Sequence, residues 1–276
     1  MTIQVSNEPD DFFSFEHDGW EEVCDGYEQY FLPLTRQSVT PLLDAARVTT
    51  DLNLLDVCTG SGLIAAAAAE RGACAVGLDF SARSLDIARR NYPAIEFHEG
   101  DVQALPFDEN RFDAVICGYG IIHVPDPAIA LAEMKRVLKP GARLALSVWQ
   151  APAPDNGYGL VFDAINTHAE PATALPHGPD FFQFSADGKL AAALEFSGLT
   201  DIEVDPLSQT WDLDAPARFV DCMLQGTVRT RGLLLAQSEP VRRRVLTAIA
   251  AGIEPYKSAA GGYQVPMPAL IGSGAK

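Results

Sequence analysis

The chain has 276 residues, with 20 Lys and Arg against 37 Asp and Glu, and so a formal net charge of −17. A field of that sign repels phosphate backbones and excludes nucleic acid as a general partner. The five cysteines, at 24, 58, 74, 117 and 222, form no C-x-x-C pair, and the histidines do not cluster, so neither a zinc site nor a disulfide framework is expected.

In chain order, MTIQVSNEPDDFF is acidic and lacks a signal-type apolar core, and the run Ala65 to Ala69 is too short to cross a bilayer. The expectation is a cytoplasmic protein with no stable membrane insertion. Residues 1–50 are expected to form an N-terminal helical lid, with Tyr27 and Tyr30 in GYEQYFLPLT as its leading aromatic candidates.

From residue 52 to 149 the pattern alternates between strand and helix, with strands near 52–58, 73–80, 95–100, 112–118 and 143–149. Such alternation requires a parallel sheet with right-handed crossovers. Its most informative stretch is LLDVCTGSG, residues 54–62, where a buried apolar run ends in Asp56 and passes at once into a turn carrying Gly60 and Gly62. The helix that follows presents its N-terminus and free N–H groups to a ligand. Asp79 closes the next strand-like run, ACAVGLD, and Asp101 closes IEFHEGD, so three carboxylates edge one crevice.

Gly60, Gly62 and Ala65 also satisfy the G-x-G-x-x-G/A pattern of a nicotinamide or flavin fold. The acids separate the two readings. Asp56 just before the turn repels a pyrophosphate and welcomes a cation, while Asp101 followed by Val102 suits an adenine, with its donating amine and apolar ring. Both point to an adenosyl group without phosphates.

Pro127 after Asp126 and Pro140-Gly141 after Leu138 mark the start and stop of the helix before the fifth strand. Beyond Gln150, residues 151–184 read as a cap insertion rich in Pro and Phe. Residues 185–276 read as completion of the core sheet with further cap helices over 215–224 and 240–251, and 201–213 and 263–274 are the candidates for a closing β-hairpin. The basic run Arg242 to Arg244 in the second of these helices reads as a solvated face.

Four motifs together resemble the class I S-adenosylmethionine-dependent methyltransferases over Asn53 to Gln150: LLDVCTGSG, GLDFSARSLDIAR, EGDVQALPFDENRFDAV and LKPGARLALSVW. The wording is nearest the small-molecule branch that includes the quinone-biosynthesis enzymes. The resemblance implies a Rossmann-like α/β fold, a mostly parallel seven-stranded sheet with an antiparallel last strand, and a helical cap. It also implies S-adenosyl-L-methionine as cofactor, S-adenosyl-L-homocysteine as product, and direct in-line transfer to a small, apolar or aromatic acceptor at O, C or N. A homodimer is compatible with it.

The cofactor-binding residues that the resemblance implies are Tyr30, Asp56, Cys58, Thr59, Gly60, Gly62, Asp79 at the ribose, Phe80, Ser81, Asp101, Val102, Cys117 and Tyr119. The chain departs from the family at Cys58, where a glycine is usual. His123, in GYGIIHVPDP, is the one histidine within a core motif and the candidate base for an acceptor proton. Its alternative is loop packing, as core packing is for Phe181, Phe182, Phe184 and Trp211, the candidate acceptor walls. Two other readings share the pocket: a nicotinamide-dependent oxidoreductase, and a non-catalytic adenosyl-binding subunit.

Overall fold

A computed structural model describes residues 9–170, 175–259 and 261–276. Residues 1–8 of the expected lid and 171–174 of the expected cap insertion lie outside the described residues. Among the described residues nine strands form: β1 (Asn53–Val57), β2 (Cys74–Asp79), β3 (Glu96–Glu99), β4 (Phe112–Gly118), β5 (Leu138–Trp149), β6 (Thr200–Leu207), β7 (Thr210–Leu213), β8 (Tyr263–Pro266) and β9 (Ala269–Ala275).

Seven of them make one sheet in the order β3-β2-β1-β4-β5-β9-β6. Its neighbours pair parallel from β3 through β5, and β9 runs antiparallel between β5 and β6. The direction of strand order reverses between β1 and β4, which is where doubly wound sheets open a ligand crevice at their carboxyl ends. Strands covered on both faces read as continuous apolar runs, and β1 is buried from Leu54 through Val57.

On one face, Leu42 and Leu43 of helix Val39–Ala45 and Ala68 of helix Leu63–Glu70 pack with Leu54, Ala114, Ile116 and Ile271. Next to β2 and β3, Ala65, Leu85, Ala88 and Phe97 form a second apolar cluster. Arg143, buried in β5, ties the far end of the sheet together by donating to Asp201 Oδ2 at 2.7 Å and Ser273 Oγ at 2.8 Å.

The chain divides into two compact units. One comprises residues 36–150, 179–207 and 269–276 and contains the seven-stranded sheet; the other comprises 1–35, 151–178 and 208–268. The segments expected as lid (1–50), cap insertion (151–184) and sheet completion (185–276) are thus each shared between units. In the second unit β7 and β8 form a two-stranded antiparallel ribbon. Trp211 on β7 is almost fully buried, with ring centroids 4.5 Å from Phe31 and 5.6 Å from Phe219, and its Nε1 donates to the Tyr30 carbonyl at 3.2 Å. Trp211 is therefore core of its own unit. In the same unit the buried Glu16 carboxylate is matched by Arg229 at 2.6 Å.

Three sequence expectations are corrected. The runs 201–213 and 263–274 do pair antiparallel with each other, as expected for the closing strands, but each breaks into two strands, β6 with β9 in the main sheet and β7 with β8 in the separate ribbon. Pro266 closes β8 and Pro268, which likewise has no N–H to donate, lies between β8 and β9. The fifth strand begins at Leu138 instead of 143, because Leu138 pairs with Phe112 before a register shift and Gly141, at φ +79°, turn the chain into the regular ladder. Helix Arg229–Leu235 was not expected. The antiparallel next-to-edge strand is as the family resemblance implies.

Candidate cofactor site

The carboxyl ends of β1, β2 and β4 converge on the glycine turn. Asp56, the fourth residue of β1, is fully buried. Its Oδ2 accepts from Thr59 Oγ1 at 2.5 Å and from the Ala65 N–H at 3.0 Å, which fixes the turn to the first turn of its helix. Its Oδ1 is buried with no hydrogen-bond partner. Burial, opposed by these two bonds and reinforced by the neighbouring Asp79 charge, pushes the Asp56 carboxyl up to about 7.

The turn itself runs through left-handed backbone. Gly60 has φ +54° and Gly62 φ +85°. A Cβ on Gly62 would lie 2.8 Å from the Phe97 ring, so the position needs glycine for space as well as for φ. A Cβ on Gly60 would meet nothing within 4 Å. The backbone here faces open space, as a ligand cradle requires.

Asp79 closes β2 and is also buried. Its Oδ2 accepts from the Gly60 N–H at 2.8 Å and its Oδ1 from the Ser81 N–H at 2.9 Å. Ser81 in turn caps helix Ala82–Asn91, its side chain accepting from the Ser84 N–H at 3.0 Å. Phe80 between them is half-buried. Past β3, Asp101 is partly buried beside the buried Val102, and its two oxygens accept from the N–H and Nε2 of Gln103.

Cys58 has φ +54°, the left-handed region that favours glycine. The glycine usual at this point in the family thus has a backbone reason, and this chain holds a side chain there under strain. Its thiol hydrogen-bonds Cys117, the buried residue near the end of β4, and that bond together with burial holds Cys58 well above the ordinary thiol range. The Cys58 thiol is therefore not an activated nucleophile.

Tyr119, one residue past β4, is also left-handed at φ +60°. Its N–H donates to Ser147 Oγ at 3.1 Å, and its ring stacks on Trp149 with centroids 4.1 Å apart. These β5 contacts offset the backbone cost at a buried aromatic, and strain of this kind concentrates at functional sites. His123 ends the short 3-10 turn Ile121–His123 and is half-buried, its ring edge-to-face with Phe181 at 5.5 Å. Phe181 also packs on Phe182 at 4.9 Å. Asp126 caps the next helix, Pro127–Val137, by accepting from the Ala128 and Ile129 N–H groups.

Asp56, Cys58, Thr59, Gly60, Gly62, Asp79, Phe80, Ser81, Asp101, Val102, Cys117, Tyr119 and His123 all belong to the sheet unit, on strand ends or the loops that follow them. Tyr30 belongs to the other unit, where the Arg218 guanidinium lies 5.2 Å from its ring centroid. Sequence reasoning missed Gln103, Ser147 and Trp149. Only Gln103 carried a local signal, its position two residues after an acid at a strand end, where Asx turns form. No cluster of three or more His, Cys, Asp or Glu able to hold a metal occurs among the described residues.

A sheet wound in this order, with an acidic, glycine-turned crevice at its switch point, defines an α/β protein that binds a nucleoside-type cofactor. Residues 55–146 match the model of the methyltransferase domain family. The chain is 33% identical over 184 residues to the demethylmenaquinone methyltransferase of Paenarthrobacter aurescens, covering 63% of this chain and 72% of that one. It is 40% identical over 118 residues to the enzyme of the same name from Renibacterium salmoninarum, covering 43% of this chain and about half, 50%, of that relative. Among solved structures, a methyltransferase of Bacillus halodurans superposes with a TM-score of 0.56 at 20% identity, covering 86% of this chain and 98% of that one. The chain belongs to the class I S-adenosylmethionine-dependent methyltransferases.

Proposed function

We propose that this protein methylates the ring or a ring oxygen of a small, apolar aromatic acceptor of the hydroquinone class. The observation that carries the cofactor side is the buried, unpartnered Oδ1 of Asp56, the acid whose other oxygen holds the glycine turn through Thr59. A buried carboxylate oxygen without a partner is costly, and a cationic ligand group relieves that cost. The ammonium of the cofactor's methionine part supplies such a cation, whereas a pyrophosphate would add repulsion. This favours the methyltransferase reading over a nicotinamide site.

On this reading Asp79, already anchoring Gly60 and Ser81, presents its remaining lone pairs to the ribose hydroxyls. Asp101 takes the adenine amine, with Val102 and Phe80 as apolar cover for the ring. Thr59, Cys58, Cys117 and Tyr119 line the methionine end. Bound S-adenosylmethionine supplies a methyl group on a sulfonium that is already a good leaving group. The chain's own task is positioning, water exclusion and the acceptor proton.

The relatives' names supply the acceptor class: demethylmenaquinone is a quinone, and this chain is proposed to take a ring of that kind. A methyl electrophile needs an electron-rich partner, so the acceptor must enter reduced, as a hydroquinone. Removing its phenolic proton raises the electron density of the oxygen and ring, and His123 is the residue proposed to accept that proton. Phe181 and Phe182, packed around His123, would give the aromatic acceptor an apolar wall.

The test is a panel of hydroquinones, phenols and amines incubated with enzyme and S-adenosylmethionine, reading S-adenosylhomocysteine release. Release with hydroquinones supports the proposal. Release with amines alone would overturn the acceptor class, and cofactor binding with no release in any arm would favour a non-catalytic adenosyl-binding subunit.

A further inference from the structure

Gln103 has no assigned role, yet its side chain amide is used at both ends. Its Nε2 donates to Asp101 Oδ2 at 3.0 Å while its own N–H donates to Asp101 Oδ1 at 2.9 Å. Its Oε1 accepts from the Asp126 N–H at 2.9 Å. These partners fix the orientation of the amide: a carboxylate needs the NH2 and a backbone N–H needs the oxygen, so turning the amide over loses both bonds.

The geometry has two consequences. With a donor on each oxygen, the Asp101 carboxylate cannot rotate, so the lone pairs left over point in set directions. Asp126 begins helix Pro127–Val137 and lies three residues after His123. One half-buried side chain therefore joins the loop after β3 to the loop after β4.

We infer that Gln103 is a positioning residue that aims Asp101 at the exocyclic amine of the cofactor's adenine and ties that choice to the His123 loop. This inference rests on the proposed adenine role of Asp101. Asp101 acts by accepting from an N–H2, so it rejects a ligand that presents a carbonyl in the same place, because two acceptors would then face each other. Gln103 keeps that rejection sharp. Without the Gln103 side chain, Asp101 keeps only the backbone N–H bond on Oδ1, Oδ2 is no longer held, and the penalty for a carbonyl falls.

The test compares binding of S-adenosylhomocysteine with that of S-inosylhomocysteine, which carries a carbonyl in place of the adenine amine and an N–H in place of the acceptor ring nitrogen beside it, to the full chain by calorimetry. Wild type is expected to prefer the adenine ligand by at least about tenfold, the scale of one unpaired polar contact. Gln103→Met, which keeps length and apolar packing but loses both side-chain hydrogen bonds, and Gln103→Ala are both expected to bring that preference to within about twofold. The activity readout should show kcat falling more than the KM for S-adenosylmethionine rises, because the His123 loop loses its tether.

A purely structural Gln103 would lower the melting temperature and weaken both ligands equally. An unchanged preference in a folded Gln103→Met protein overturns the inference. Wild type that does not distinguish the two ligands, or an Asp101→Ala variant that keeps the full preference, overturns instead the adenine role of Asp101 on which it rests.

Discussion

The Asp79 carboxylate accepts a hydrogen bond from the Gly60 N–H at 2.8 Å, so the acid at the end of the second strand holds the glycine turn that follows the first. Asp56 grips the same turn from the other side through Thr59 and Ala65. The turn is thus set before any ligand arrives, which reduces the ordering cost of binding.

Asp79→Ala is expected to weaken S-adenosylhomocysteine binding by about 1.5–3 kcal/mol, the range for a charge-assisted hydrogen bond removed from a pocket. Calorimetry reads it directly. An unchanged affinity would remove Asp79 from the cofactor site.

Burial raises the Asp56 carboxyl from 3.8 to about 7, so the ligand-free folded state holds a proton that the unfolded chain gives up near pH 4. Its contribution to stability is fully present below about pH 4, declines as pH rises toward 7 and is flat above that. Asp56→Asn should flatten this segment of the stability profile in urea titrations. A bound ammonium favours the carboxylate, so cofactor binding below pH 7 should release one proton and the dissociation constant should worsen by up to about tenfold per pH unit. Affinity independent of pH between 5 and 7 would contradict the Asp56–ammonium pairing.

Cys58 sits at φ +54°, where a side chain is strained and a β-branched one more so. Cys58→Val should be less stable than Cys58→Gly by about 2 kcal/mol in chemical denaturation, the scale of forcing such a residue into left-handed backbone. Equal stability of the two would show that the turn relaxes.

Trp211 packs against Phe31 and Phe219 with only 2% of its surface exposed. Trp211→Ala should cost about 3–5 kcal/mol of stability, as large-to-small core changes do. A loss below about 1 kcal/mol would mean that its ring is not core.

His123→Ala should lower kcat by about 10²–10⁴-fold, the usual contribution of a general base, with S-adenosylhomocysteine affinity unchanged. Full activity in this variant, or in His123→Gln, would leave the ring a packing role against Phe181.

The sheet was legible in the sequence because buried parallel strands leave continuous apolar runs, and glycines and acids fall at their carboxyl ends. Asp56, Asp79, Gly60 and Gly62 were found in this way, as was the cap that Asp126 provides. The closing strands were harder. A strand run says nothing about which sheet it joins, and 201–213 and 263–274 each feed two. Trp211 carried two readings, acceptor wall and core, because an aromatic in sequence looks the same in a core and in a pocket. Ser147 and Trp149 were invisible because each acts through a contact with Tyr119, distant in sequence, and Gln103 left only a weak local signal because periodicity does not record side-chain orientation. The left-handed backbone at Cys58 explains the family's glycine only once φ is known.

Methyl transfer from S-adenosylmethionine to a reduced quinone-type ring is the step on which the proposed function stands. Incubation with cofactor carrying a deuterated methyl group and a demethylated naphthohydroquinone, followed by mass spectrometry, tests it most directly. The expected result is a product bearing the labelled methyl group and one equivalent of S-adenosylhomocysteine per product formed. Tight S-adenosylhomocysteine binding without labelled product, while an amine or a simple phenol is methylated instead, would contradict it.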